Sequence, residues 1–275
     1  MKILDSHQHF WKFDPVRDAW IDASMAVLQR DFLPVDVLPI YENNGVEGSI
    51  AVQADTSEAE TDFLLALAEE HNFIKGVVGW LDLCSPTLSD RLAVYRPHKK
   101  LKGLRHIVQK EPLGYMDRKD FRRGIGLLSA LDWSYDLLIF PHQLEEALAL
   151  VDAFPQQSFI LDHCAKPYIK KGILEPWKKQ LLALGERPHV SCKISGLVTE
   201  ADWSSWGKKD FMPYLDAVVE AFGTQRLMFG SDWPVWQVEG GYTAVLDVVK
   251  SYFSSFTDPE KTAIFSGNTE RLYKI

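Results

Sequence analysis

Short apolar runs alternate along the chain with longer stretches of helical periodicity. After the opening run Met1-Lys2-Ile3-Leu4, apolar segments recur at residues 48–53, 74–81, 101–108, 135–140, 158–162, 190–194 and 227–229, which predicts eight strands. The run at 74–81 is apolar almost throughout, as expected of a strand covered on both faces. Helical periodicity predicts helices over 35–43, 57–71, 86–95, 119–131, 143–154, 175–184, 211–222 and 242–254, with two short helical turns closing the chain. Gly45 is placed to stop the first helix. Ser57-Glu58-Ala59-Glu60 has the spacing of a capping box, and the helix it opens carries Phe63, Leu64, Leu67 and Ala68 on one side. Pro176 stands near a first turn, where proline is tolerated.

Eight strands, each followed by a helix or helical loop, point to an α/β fold of the (β/α)₈ TIM-barrel type. A doubly wound open sheet is the competing architecture, but no Gly-x-Gly-x-x-Gly turn follows any strand. No linker divides residues 1–275, so one barrel domain is expected. The segment 10–34 breaks the rhythm. Trp11, Phe13, Pro15 and Trp20 are too irregularly spaced for a helix or strand, and the segment reads either as a lid or as an apolar plug over one barrel end.

Composition narrows the setting. Of 275 residues, 46% are hydrophobic and 25% charged, enough apolar material for a large core. No apolar run approaches the roughly 20 residues that span a bilayer. The N-terminus lacks the basic region and apolar core of a signal peptide, so no membrane partner and a cytoplasmic location are expected. Cys84, Cys164 and Cys192 are too few and scattered for a disulfide framework, which suits a reducing compartment. A net charge of −8 argues against a nucleic-acid partner, and the short basic stretches Lys99-Lys100 and Lys170-Lys171 read as solvated faces. Nothing in the pattern opposes a homo-oligomer.

The candidate chemistry begins in Asp5-Ser6-His7-Gln8-His9, at the end of the first run. On an extended strand His7 and His9 project together, with Asp5 behind them on the same side. Two converging imidazoles form a half-site for a metal or an anionic oxygen, whereas an isolated pair at a terminus can equally be solvated. A barrel builds its active site at the C-terminal strand ends, and those ends are polar here. The third strand ends near Trp80 and Asp82, and Arg105 and His106 lie on the fourth. His163 follows the sixth with Lys166 just beyond, Lys193 lies on the seventh, and Asp232 follows the eighth. Only one of Arg105 and His106, and one of Cys192 and Lys193, can face the interior. His71 and His98 read as solvated, His189 lies at the wrong barrel end, and His142 can face the mouth only from the start of its helix.

His-x-His after the first strand, His after the sixth and Asp after the eighth resemble the amidohydrolase superfamily. The motifs Asp5-Ser6-His7-Gln8-His9-Phe10-Trp11, Gly103-Leu104-Arg105-His106, Leu161-Asp162-His163-Cys164-Ala165-Lys166-Pro167, Phe229-Gly230-Ser231-Asp232-Trp233-Pro234 and Gly267-Asn268-Thr269-Glu270-Arg271-Leu272-Tyr273 are similar to its amidohydrolase-2 branch. That branch includes sugar lactonases of the L-fuconolactonase and L-rhamnonolactonase type, and the likeness spans essentially the whole chain. It implies Asp232 as general base, with His7, His9 and His163 around the reacting carbonyl. It also implies a single divalent cation, zinc above others, on His7, His9 and Asp232, with His163 nearby and with metal occupancy separate from metal requirement. Binuclear members bridge their metals from the fourth strand, where this chain has Arg105 and His106, so a bridged pair is not expected.

The expected reaction is opening of a sugar lactone by water. Asp232 takes the proton, His163 or Arg105 polarises the carbonyl, and Asp232 passes the proton to the ring oxygen. His106, Trp80, Lys166 and Trp233 are expected to contact the substrate, the tryptophans (Trp236 among them) by stacking on the sugar. The competing functions are a metal-dependent decarboxylase of the same superfamily, which would release carbon dioxide, and a non-catalytic carbohydrate-binding barrel, which would not need Asp232. His163 is expected within about 10 Å of the His7/His9 pair, because one small site cannot span more.

Overall fold

The structure is a computed structural model that describes residues 1–238 and 241–275. Eight parallel strands follow one another around a single sheet in chain order: β1 (Ile3–Gln8), β2 (Val46–Val52), β3 (Ile74–Gly79), β4 (Leu101–His106), β5 (Ser134–Leu137), β6 (Phe159–Leu161), β7 (Val190–Ile194) and β8 (Leu227–Phe229). The sheet curls until its ends meet. Just beyond β8, the Asp232 N–H donates to the His7 carbonyl (2.8 Å), and the His9 N–H donates to the Trp233 carbonyl (2.7 Å). The expected barrel is present.

Helices α1 (Pro34–Asn44), α2 (Glu58–Glu70), α3 (Leu88–Tyr95), α4 (Lys119–Ser129), α5 (Leu144–Ala153), α6 (Trp177–Gly185), α7 (Lys208–Phe222) and α8 (Tyr242–Tyr252) surround it. Gly45 ends α1 in the left-handed conformation (φ 69°), as expected. Ser57 caps α2 by accepting from the Glu60 N–H (3.2 Å), but the Glu60 carboxyl turns away to the Ala54 N–H (3.0 Å). The expected capping box is therefore only half made: Glu60 ties α2 to the loop after β2 instead.

The apolar residues divide into two bodies. The larger fills the space between strands and helices, and the smaller lies inside the barrel around Ile50, Val52, Val78, Ile160 and Met228. Tyr273, from the C-terminal helix α10 (Asn268–Tyr273, which follows the short α9, Asp258–Thr262), joins the inner body. The interior is thus layered along its axis, with an apolar layer below and polar side chains above. The segment after β1 is both plug and wall. Phe10, Trp11 and Phe32 are buried, with Trp11 and Phe32 paired through both backbone hydrogen bonds (3.0 and 2.9 Å), while Trp20 is left to face the mouth. Among the described residues no helix is long and apolar enough to cross a membrane, and all three cysteines are free.

Candidate active site

The first strand does not alternate simply. Asp5 pairs with Ser49 and Gln8 with Ala51, so three steps on β1 match two on β2. This bulge reverses the facing of the strand between Asp5 and His7. Asp5 turns outward, where Tyr41 and Tyr242 donate to Oδ2 (3.0 and 3.2 Å) and the Ser231 N–H donates to Oδ1 (2.8 Å). The expectation that Asp5 stands behind the histidines on one face is corrected. It joins β1 to α1, α8 and the turn after β8, while His7 and His9 enter the barrel.

The two imidazoles meet with their Nε2 atoms 3.1 Å apart. The His9 Nδ1–H donates to the Val52 carbonyl (2.8 Å), which leaves a lone pair on His9 Nε2. Asp232 Oδ1 lies 3.4 Å from His9 Nε2 and 3.8 Å from His7 Nε2. The His163 ring is centred 4.4 Å from that of His7, inside the expected limit, with its Nε2 3.9 Å from Asp232 Oδ1. Arg105 points inward, its Nη1 3.3 Å from His7 Nε2 and 3.0 Å from Asp162 Oδ2. Lys193 also points inward and is fully buried, not solvated, whereas Cys192 faces the outer core. Its Nζ lies 2.6 Å from Asp136 Oδ2, 3.0 Å from Asp162 Oδ1 and 3.2 Å from His7 Nδ1. Two cations and two carboxylates thus form a buried neutral layer directly beneath His7.

Strained backbone presents the remaining groups. His163, Cys164, Ala165 and Lys166 all have φ between 51° and 56°, and Asp232 has φ 61°. Left-handed conformation costs about 1–2 kcal/mol for each such residue. The turn is held by the Trp177 Nε1–H bond to the Cys164 carbonyl (2.8 Å) and by the Lys166 N–H bond to the His163 carbonyl (2.7 Å). The strain lies where the chain needs an inward-facing imidazole immediately beyond β6. Gly196, beyond β7, has φ 62°, and a Cβ there would stand 2.7 Å from His163 Nδ1 and 3.2 Å from Asp232 Oδ2.

The electrostatics follow from burial and neighbours. Burial lowers the His163 pKa to about 4 and holds His7 well below its usual value, so both rings are neutral at neutral pH. Burial works against the charge on Asp232, but His163, the His9 hydrogen bond and His7 outweigh it and hold the carboxyl below the usual range. Asp162 is likewise opposed by burial and held well below its usual range by Lys193, His7 and Arg105.

His9, Arg105, His163, Lys166 and Asp232 line a cavity of about 160 Å³, walled by Trp11, Trp20, Ile107, Leu138 and Val235 and edged by Gln109 and Lys110. Lys166 reaches it from the rim, its Nζ 3.6 Å from Glu200. Other expected contacts are placed elsewhere. His106 accepts from the Trp80 Nε1–H (3.0 Å), pairs with Glu111 (2.9 Å), stacks on Tyr115 and lines a separate adjoining cavity. Trp80 lines neither cavity. Trp233 has no exposed surface and packs edge-on against Phe10 and Phe32, so it supports the wall without facing a substrate; Trp236 is buried against Tyr242. His142 is exposed beside Phe140, and His189 is turned to the Val151 carbonyl on α5. Sequence reasoning passed over Trp11, Trp20, Gln109, Lys110 and Ser195 as parts of the site. Ser195-Gly196 directly follows the β7 run, and that position at a strand end was the available signal for Ser195.

The donor set fits a single cation. Ligands at about 2.0–2.2 Å around a tetrahedral ion stand roughly 3.3 Å from one another, close to the spacing of His7 Nε2, His9 Nε2 and Asp232 Oδ1. His7, Asp162 and His163 also cluster. There the Lys193 ammonium already stands between His7 and Asp162, so a second metal would have to displace a charge of its own sign.

A parallel barrel with these residues at its strand ends is of the amidohydrolase type. The chain belongs to the amidohydrolase family, whose pattern matches residues 4–275. It is 40% identical to an L-fucono-1,5-lactonase from Burkholderia multivorans, over 99% of this chain and 96% of that one. An L-fucono-1,5-lactonase from Burkholderia ambifaria is 33% identical over 99% of this chain and 95% of its own. A crystal structure of a Burkholderia multivorans amidohydrolase with bound zinc, 40% identical, covers all of both chains with a TM-score of 0.96.

Proposed function

We propose that this protein hydrolyses a sugar lactone, an aldonolactone, to its acid, with Asp232 activating the water. The single observation that carries the reading is the full-length 40% identity to an L-fucono-1,5-lactonase. The site is compatible with it: an ionised carboxylate and two imidazoles line a cavity of about 160 Å³, well below the roughly 300–1,000 Å³ of drug-sized sites, which suits one small ring.

The lactone carbonyl lies over His9, His163 and Asp232, with Trp11 and Trp20 excluding bulk water. Asp232 accepts a proton as water attacks the carbonyl carbon. The Ser195 hydroxyl, 2.9 Å from His163 Nδ1, can donate to it and leave the His163 proton on Nε2, where it donates to the developing oxyanion. Arg105 adds a fixed positive charge at the floor. When the ring C–O bond breaks, the proton on Asp232 passes to the departing alkoxide, and Lys166 meets the new carboxylate at the rim. A divalent ion held by His7, His9 and Asp232 would supply Lewis-acid polarisation and lower the pKa of water.

A pH-indicator screen against a panel of aldonolactones, with and without chelator, tests the reading. Acid release from at least one lactone without carbon dioxide is expected. No acid from any lactone, with carbon dioxide released from an aromatic acid, would replace it with the decarboxylase.

A further inference from the structure

The turn after β4 brings to the cavity a polar side chain that the rest of the protein leaves unused. Gln109 stands on the cavity edge, and its Oε1 is buried with no hydrogen-bond partner among the described residues. Of the residues around that cavity, only Arg105, at Nε, shares this condition. A buried acceptor without a partner is uncommon, because it has lost water and gained nothing in exchange. The backbone that carries Gln109 is fixed. Its N–H donates to the carbonyl of Leu138, itself on the cavity wall (2.9 Å). The buried Gln143 donates through Nε2 to the Val108 and Glu111 carbonyls (2.9 and 3.3 Å) and accepts from the Phe140 N–H (3.0 Å). The Glu111 carboxylate lies 2.9 Å from His106 Nε2. Residues 107–111 are thus held from both sides, and the remaining freedom is in the Gln109 side chain. The last torsion of a carboxamide is broad and roughly two-fold, so it can turn either its oxygen or its NH₂ toward the cavity without moving the turn. Ile107, Leu138 and Val235 on the same cavity offer it no partner, and Arg105, Lys166 and Asp232 are already engaged with Asp162, Glu200 and His9. A hydroxyl, which both donates and accepts, suits either face of the amide.

We infer that Gln109 is a specificity-determining residue: its carboxamide hydrogen-bonds a ring hydroxyl of the lactone, so that the site selects hydroxylated rings over bare ones. The inference rests on the lactonase reading. Gln109 takes no part in proton transfer. It acts because a site built to bond a substrate hydroxyl rejects the analogue that lacks it, leaving the amide unpaired, whereas an apolar wall discriminates only weakly by fit. The fixed turn keeps the amide in place before substrate arrives, which makes the selection sharper.

Wild-type kinetics on monodeoxy analogues of the best aldonolactone, each lacking one ring hydroxyl, test the inference first. One analogue is expected to lose at least about tenfold in kcat/KM. Changes below about threefold for every analogue would overturn the inference and leave the lactonase reading standing, while no turnover of any lactone would overturn both. Gln109→Met keeps the length of the side chain and removes the amide. It should lose about tenfold on the parent lactone and stay within about threefold of wild type on the sensitive deoxy analogue, the non-additivity expected of two groups in contact. Equal losses on both substrates, in protein with an unchanged urea midpoint, would make Gln109 a support of the wall and overturn the inference. If Gln109→Met does not fold, Gln109→Asn, which withdraws the amide by one methylene, is read in the same way, and a flat wild-type series overturns the inference without any variant.

Discussion

At the scale of the residue, the proposed function rests most heavily on Asp232. It follows β8 in a left-handed conformation, stays ionised among buried imidazoles, and lies within reach of His7, His9 and His163. Asp232→Asn is nearly isosteric and keeps the backbone bond from its N–H to the His7 carbonyl, so the fold should survive. Turnover on the best lactone should fall by about 10²- to 10⁴-fold, as commonly found when a general base is removed. Zinc content measured in the same samples separates loss of the base from loss of an ion. Activity within about threefold of the parent would show that another group takes the proton, His163 being the next in line.

At the scale of the element, the turns after the strands decide the geometry. The bulge in β1 lets Asp5 anchor two helices while His7 and His9, two and four residues on, enter the barrel. The left-handed run after β6 does the same for His163. The turn after β7 must yield space for both catalytic candidates, and Gly196 yields it. Gly196→Ala places a Cβ against His163 and Asp232 at a position of positive φ. It should cost about 1–2 kcal/mol of stability and reduce kcat/KM by at least about tenfold, because displaced reacting groups lose near-attack geometry. Urea midpoints and steady-state kinetics on the same preparation check both parts. An unchanged kcat/KM would mean that the two side chains can move aside without consequence.

At the scale of the whole molecule, burial of ionisable groups in the barrel couples folding to pH. His7 and His163 are neutral when folded and take up protons near pH 6.5 when unfolded, so the unfolded state binds more protons below that point. Their contribution to stability therefore falls as pH drops through 6.5, and for His163 the fall levels off below about 4. Glu60 acts in the opposite sense. Burial pushes its pKa up to about 7, so its contribution is present below about 4.5 and is lost as pH rises toward 7. The two effects overlap and flatten the profile. Glu60→Gln removes the opposing one, and chelated protein should then show a steeper rise of unfolding free energy between pH 4.5 and 7. Equal slopes for parent and variant would mean that Glu60 is charged in the native state. The whole-barrel charge arrangement also predicts metal stoichiometry: elemental analysis after dialysis against zinc should give one tightly bound ion per chain. Two would show that Lys193 can be displaced from between His7 and Asp162.

The sequence by itself determined the number and order of the strands, the barrel, and which strand ends carry polar chemistry. These depend on local periodicity, and each apolar run reports its own burial. It could not determine facing. Whether Arg105 or His106 turns inward, and whether Lys193 or Cys192 does, depends on register against neighbouring strands, and a bulge such as that in β1 reverses facing with no mark in the composition. The tryptophan of the Ser231-Asp232-Trp233-Pro234 turn looked like a sugar platform, yet packing against Phe10 and Phe32 made it part of the wall. The ionic layer was least legible of all. Lys193 meets Asp136 across 57 residues of chain and His7 across 186, and only closure of the barrel brings them together. An ammonium, a guanidinium and two carboxylates tolerate such burial because their charges offset one another, a condition set by three-dimensional proximity that no single stretch of chain can express.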